Sequence, residues 1–457
     1  MKKKIDESTS IQIDQSFIST NPLCWEIIRL LSENPFITQK EISKKFNLSR
    51  NKLIELNTTI RNSEFAQNYI INNGVGSKYW KNTILPTIKN GKAKAALDEK
   101  FEYPDRIGIC PGLSCNFFCS FCGRNYSASY EKKYGELGMK LYKQIFDQTP
   151  INVNKNKTYH ITGGLEPLTF PKIGELISYG KEKGFSMEMQ TNGSYLTPDF
   201  LQKQSGIKEL STLRISLYGV DPDSTYEITK NKKAYDVVKN NLINFLKLRT
   251  NTKVGLNYVV LHNTIDDIIK LIDYIEAVNI ASNNQIDFLT LREDFSAGCT
   301  EISVNDRKKL NEIFDLVEKR LENETLNKLH IDYGYALESI RKNSNMHSLK
   351  KATTKELRKK AFPQIAVMID SKGDVFVYHE AAFIDRPGAK RYSIGVVDDE
   401  HSLQDVITNF LQSDGIDPVQ FDDCYLDAFD HVITIFLNNL EKDIEFGIPL
   451  DSRPVKI

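Results

Sequence analysis

Arg106-Ile-Gly-Ile-Cys110-Pro-Gly-Leu-Ser-Cys115-Asn-Phe-Phe-Cys119-Ser-Phe-Cys122 is an apolar strand-like run followed at once by three cysteines spaced C-x-x-x-C-x-x-C. Three thiolates on one tight loop can hold only three irons of a cubic [4Fe-4S] cluster, so the fourth iron keeps an open position for a small-molecule ligand. With 7 cysteines in 457 residues, a chance match has an expected count on the order of 0.002, and coincidence explains the pattern poorly. A structural zinc knuckle is the competing reading. Zinc wants four ligands in paired C-x2-C or Cys/His spacing, and no fourth Cys or His follows nearby.

Downstream of that loop, to about residue 321, strand-like runs alternate with amphipathic helical stretches, the pattern of a parallel sheet with helical crossovers. Strands are expected at 106–110, 158–162, 185–190, 212–217, 254–261 and 286–291, with helices near 136–147, 172–183, 198–205, 233–248, 264–277 and 304–321. Six such units make an α/β fold with a partial (β/α)6 barrel, open on one side, since a full barrel takes eight. In such folds chemistry sits at the carboxyl ends of the strands. There the chain places the cysteine loop, then Gly163-Gly164-Leu165-Glu166-Pro167, Thr191-Asn192-Gly193, Tyr218-Gly219 and Arg292-Glu293-Asp294.

The flanks differ from this middle. Residues 1–100 read as a separate helical domain, 101–325 as the barrel, and 326–457 as a cap with a β-hairpin at 365–378 turning at Gly373. Within the first segment, residues 38–53 look like a helix-turn-helix, with a turn at Asn47 and a second helix capped by Ser49. Against nucleic-acid binding, Lys+Arg and Asp+Glu both count 60, leaving no basic field for a phosphate backbone or an anionic membrane. No apolar run reaches membrane-spanning length, and the lysines at 2–4 lead into a stretch broken by Asp6, Glu7 and Asp14 rather than a signal-peptide core. An odd cysteine count with three committed to one loop fits a reducing cytoplasm. Cys24, Cys110, Cys299 and Cys424 lack companions at ligand spacing and read as packing thiols, so one cluster is expected and no auxiliary one.

A cysteine triad after the first strand, a Gly-Gly…Glu-Pro turn after the second and six βα units together resemble the radical S-adenosylmethionine (SAM) enzymes. The resemblance implies that Cys115, Cys119 and Cys122 ligate the cluster and that SAM chelates its open iron. It also implies that Phe121 contacts the adenine, and that Gly163, Gly164 and Glu166 receive the methionyl amine. Asn192 and Ser216 are further SAM contacts by the same match. Leu165 is inserted relative to the common Gly-Gly-Glu-Pro turn. With Tyr79-Trp-Lys-Asn-Thr83, Ser216-Leu-Tyr-Gly219, Arg292-Glu-Asp294 and His330-Ile-Asp-Tyr-Gly-Tyr-Ala-Leu337, it is similar to one subgroup, the radical SAM deaminases of desosamine biosynthesis that act on TDP-4-amino-4,6-dideoxy-D-glucose.

That similarity implies a lyase fed by an external electron donor of flavodoxin or ferredoxin type. SAM is consumed to give a 5′-deoxyadenosyl radical, hydrogen leaves C3 of the sugar, ammonia leaves C4, and a 3-keto-4,6-dideoxy sugar results. Arg292 and Glu293, Tyr333 and Tyr335, and Glu380 are the expected substrate residues, Arg292 as a fork for the diphosphate. His379 stands before Glu380 where the subgroup carries Arg. The nearest rival keeps the cofactor and changes the reaction to dehydrogenation or dehydration. A redox-sensing DNA-binding regulator is the rival from another class, and it has no use for an open iron.

Overall fold

The computed structural model describes residues 14–73, 81, 84–89, 91–120, 122, 129–151, 157–261, 264–293, 304–342, 351–383, 386–417 and 425–456. Ten strands form one sheet: β1 Arg106–Cys110, β2 Thr158–Ile161, β3 Ser186–Thr191, β4 Thr212–Leu217, β5 Lys253–Val260, β6 Phe288–Glu293, β7 His330–Tyr333, β8 Ala366–Asp370, β9 Asp374–Phe376 and β10 Ser393–Val396. Their order is β10-β9-β8-β1-β2-β3-β4-β5-β6-β7, so β7 and β10 are the two ends of an open, partial barrel. Neighbours from β1 to β7 run parallel. Crossover helices Lys133–Gln148, Ile173–Glu182, Ala234–Lys247, Asp267–Ser282 and Val304–Arg320 cover the outer face.

Six strands and their helices stand where the apolar periodicity puts them; the sheet then continues past residue 325. β7 adds a seventh parallel strand on β6, and its four residues, His-Ile-Asp-Tyr, are too short and polar to announce themselves by pattern. The expected hairpin is present as β8 and β9 around Gly373, which adopts φ +91°. It does not stand apart as a cap: β8 pairs in parallel with β1, Arg106 opposite Ala366 through Cys110 opposite Asp370. The hairpin therefore widens the barrel wall beside the cysteine loop.

Alternation along the strands divides the sheet into two chemically different faces. Ile107, Ile109, Tyr159, Ile161, Met187, Met189, Leu213 and Ile215 are all buried, in one core with the crossover helices. The residues between them are Arg106, His160, Glu188, Gln190, Arg214 and Ser216, and these line a cavity. Filled (β/α)8 barrels pack this inner face with branched aliphatic side chains. Here polar and charged ones keep it open.

The front helices form the expected helix-turn-helix. Thr38 and Glu41 make a capping box on helix Gln39–Lys45, Asn47 turns at φ +52°, and Ser49 caps helix Arg50–Asn62. The lobe is not separate from the rest, because the last residues of the chain lie along it. Arg50 donates to the Phe446 carbonyl, Asn57 to that of Ser452, and Arg61 to those of Arg453 and Val455. Asp443, fully buried, accepts from the Gln39 amide at 2.7 Å and pairs with the buried Arg453 guanidinium at 3.3 Å. No helix among the described residues is long and apolar enough to cross a membrane. Asp443→Ala leaves Arg453 buried without its counter-charge and Gln39 without its acceptor. It is expected to cost about 3–5 kcal/mol, read as a lower urea midpoint by circular dichroism at unchanged slope.

Candidate functional site

The cysteine loop leaves β1 through Pro111 and Gly112 and is tied down on three sides. The Leu113 and Ser114 amides donate to the Thr169 hydroxyl at 2.9 and 3.2 Å, and the Glu166 amide donates to the Ser114 carbonyl at 2.9 Å. On the far side the Phe118 and Ser120 amides donate to the Thr229 and Ile228 carbonyls at the end of helix Pro222–Thr229. Cys119 is buried, Cys115 and Cys122 are half-buried, and none of the three is in a disulfide. All three line one cavity of about 390 Å³. The Asn192 amide nitrogen lies 3.8 Å from the Cys115 sulfur and donates to Asn116 Oδ1 at 3.0 Å. Three thiols on a loop whose backbone is held elsewhere, with an amide donor aimed at one sulfur, suit an iron-sulfur cube with one protein-free iron.

Glu166 is buried and its carboxylate is heavily committed. Oε1 accepts from the Leu168 amide and the Thr191 hydroxyl, and Oε2 from the Asn192 amide at 2.8 Å. Burial pushes this carboxyl upward, while the three hydrogen bonds favour its charged form. Its visible work is to join the second and third strand-end loops, and it lines the cavity. The glycines also have a packing reason of their own. Gly163 takes φ +119°, and a Cβ there would meet Cys110 Cβ at 2.8 Å; a Cβ on Gly164 would meet the Phe383 ring at 2.8 Å. Protein packing already excludes side chains at both. Ser216 lines the cavity and hydrogen-bonds the buried Tyr218 phenol, whose ring stands edge-on to Phe117 at 5.8 Å.

Deeper in the cavity lies a layer of charge that the sequence reading largely missed. His160 sits 3.3 Å from Glu188. Burial alone would raise the Glu188 carboxyl, but His160, Arg214 and Arg106 outweigh it and hold the group below its ordinary value. Arg214 is brought down to about 10 by burial, with Arg292 adding repulsion. His379 donates from Nδ1 to Asp430 at 2.8 Å and accepts from Arg106 Nε at 3.3 Å. Glu380 pairs with Arg386 at 3.1 Å, and burial drives its carboxyl up to about 7. Alternating polar residues inside a predicted strand were the available signal for Arg106, His160, Glu188 and Arg214.

Of the expected substrate residues, Arg292 and Glu380 line the cavity. Tyr333 does not: it is buried on the opposite face of β7, with its ring 4.9 Å from Phe314 and under Arg341. A period-two strand puts Asp332, not Tyr333, on the inner side, and Asp332 is felt by Arg214. Tyr335 opens the helix Tyr335–Arg341 and Glu293 ends β6; neither side chain is among those described. Phe121 lies outside the described residues.

An open α/β barrel with a three-thiol loop after its first strand defines a radical SAM enzyme, and residues 109–275 match the model of the radical SAM superfamily. The chain belongs to that superfamily. It is 36% identical over 385 residues to dTDP-4-amino-4,6-dideoxy-D-glucose ammonia-lyase of Streptomyces venezuelae, covering 82% of this chain and 78% of that protein. A shorter match, 30% over 112 residues, covers 24% of this chain and 30% of an AdoMet-dependent heme synthase from Methanosarcina barkeri. The solved structure of Streptococcus suis SuiB bound to S-adenosylmethionine aligns with a TM-score of 0.46 at 17% identity, over 73% of this chain and 69% of that one. Residues 25–54 match a winged helix-turn-helix DNA-binding model.

Gly163 and Gly184 separate two effects. Gly184 has φ +87° with nothing near its missing Cβ, so Gly184→Ala is expected to cost about 1–2 kcal/mol of backbone strain. Gly163→Ala adds the collision with Cys110 and should cost measurably more in the same denaturation assay.

Proposed function

We propose that this enzyme is a lyase that removes ammonia from a TDP-4-amino-4,6-dideoxy-D-glucose-type sugar nucleotide, leaving a 3-keto-4,6-dideoxy sugar. The observation that carries the reading is the single cavity onto which the three thiols, the Gly163–Glu166 turn and a layer of paired acids and bases all open. The 36% identity to the Streptomyces ammonia-lyase supports it. Cys115, Cys119 and Cys122 would hold a [4Fe-4S] cluster. Gly163, Gly164, Glu166, Asn192 and Ser216, with Phe121, would receive SAM. Together the two groups supply, when bound, a hydrogen-abstracting 5′-deoxyadenosyl radical.

The protein's own residues bind, orient and exclude water. Arg292, at the carboxyl end of β6 and on the same cavity lining as Arg214, would fork a diphosphate. Glu380, on the cavity wall, is a carboxylate that can meet the cationic amine at C4. Electrons come from an external carrier of flavodoxin or ferredoxin type. The front lobe serves as scaffold, since Arg50, Asn57 and Arg61 of its second helix are spent on the chain's own C-terminal segment. A cytoplasmic setting suits a cluster of this kind and the cysteines outside it.

The test is anaerobic reconstitution, then incubation with SAM, dithionite and TDP-4-amino-4,6-dideoxy-D-glucose. About four irons per chain, 5′-deoxyadenosine, ammonia and a keto sugar are expected. Release of 5′-deoxyadenosine with an oxidised sugar but no ammonia would replace deamination by dehydrogenation. Cys119→Ala should abolish cluster absorbance and 5′-deoxyadenosine together. Arg292→Ala should raise the sugar nucleotide's KM tenfold or more, the loss of roughly 1.5–3 kcal/mol for a charged hydrogen bond, with cluster content unchanged.

A further inference from the structure

We propose that His379 is the proton acceptor for the sugar hydroxyl whose carbon loses hydrogen, with Asp430 as its positioning residue; this rests on the deaminase reading above. His379 opens the short 3-10 turn His379–Ala382, just after β9, and lines the cavity. Asp430 grips it twice, accepting from the His379 amide at 2.9 Å and from Nδ1 at 2.8 Å. The ring also stands edge-on to Phe429 at 5.5 Å. These contacts fix the tautomer, with the proton on Nδ1 and the lone pair on Nε2. Arg106 Nε donates to that lone pair at 3.3 Å, a long bond that an incoming hydroxyl can replace.

The surroundings suit a ring that gains charge during the reaction. Groups facing it are Arg106 on β1, His160 on β2, Asp427 and Asp430 at the start of helix Ala428–Glu445, and Glu380 on its own turn. Burial disfavours the imidazolium, but the Asp427 and Asp430 carboxylates outweigh it and raise the ring above its ordinary value. The Arg106 contact fits the neutral ring, and the two carboxylates stabilise the protonated one. Asp427, 3.7 Å from Nδ1, also lines the cavity.

The chemistry gains from such a group, here at a position where the subgroup that the chain resembles carries Arg. Once the hydrogen atom leaves C3, the hydroxyl proton passes to Nε2 and the C3–O bond becomes a carbonyl as the C4–N bond breaks. The nitrogen keeps the bonding pair and departs as ammonia from the substrate's ammonium. One electron from the external carrier and one proton, available from His379, then complete C4. Ordinary general-base assistance contributes about 10²–10⁴ in rate. Without it the radical persists at C3 and takes hydrogen back from 5′-deoxyadenosine.

The experiment uses the reconstituted full chain and substrate deuterated at C3, following deuterium in 5′-deoxyadenosine and SAM alongside ammonia. In the wild type, ammonia release should rise with pH through a limb set by His379, because the acceptor must be unprotonated. His379→Gln should lower ammonia release about 100-fold, remove that limb, and keep deuterium transfer within a few fold. Asp430→Asn, should His379→Gln not hold its cluster, should move the limb to lower pH, since the imidazolium loses a counter-charge. Ammonia release and limb unchanged in both variants overturns the assignment. So does a parallel loss of deuterium transfer and ammonia at intact cluster absorbance, which makes His379 architectural. A wild type that transfers deuterium yet releases no ammonia removes the deaminase reading and this role with it.

Discussion

The buried Glu166 carboxylate is the interaction on which the site depends. Its backbone amide holds the cysteine loop at Ser114, and its oxygens hold the Thr191–Asn192 corner after β3. Asn192 in turn reaches the Cys115 sulfur and Asn116. One residue, through its backbone amide and its carboxylate, therefore ties three strand-end loops together. A buried charge of this kind is tolerable only because each hydrogen bond it accepts replaces water it has lost. Removing it would leave the Asn192 and Leu168 amides unpaired in the interior, a larger loss than the bonds themselves.

The second constraint is the polar inner face of the sheet. Arg106, His160, Glu188 and Arg214 occupy positions that would hold aliphatic side chains in a filled barrel. Stability must then come from the outer layer, where Tyr159, Ile161, Met187, Leu213 and Ile215 meet the crossover helices. The division has a functional result. His160 is paired with Glu188 and Arg106 with His379, so the cavity presents both cations and anions on one wall. Pairing also explains why the shifts run in opposite directions, Glu188 down and Glu380 up: the first has three basic neighbours, the second has Arg386 against burial and nearby acids.

The helix-turn-helix and the segment 446–455 are packed together. The helix-turn-helix has the caps and turn of its pattern. Its second helix nevertheless spends Arg50, Asn57 and Arg61 on residues 446–455. The same terminal segment begins at Asp427 and Asp430, which cap helix Ala428–Glu445 and also hold His379. The segment that packs on the front lobe therefore also furnishes Asp427 of the cavity lining.

Local pattern carried much of this. The three cysteines, the Gly-Gly-Leu-Glu-Pro turn, six strands with their helices, and the Gly373 hairpin are all written in residues close in sequence, where spacing alone states the geometry. β7 escaped because four residues carry too little periodicity, and Tyr333, expected at the substrate, lies buried on the face that an unrecognised strand gives it. The class of enzyme was thus legible in the sequence itself. Only the tertiary structure decided that β8 seats beside β1 and that Glu166 clamps the loops. It alone brought His379 from the hairpin, Arg106 from β1 and Asp430 from the last helix to one point. Those pairings join residues up to 273 positions apart, and no local spacing encodes them, since they arise from how the sheet curls and which face each strand turns inward.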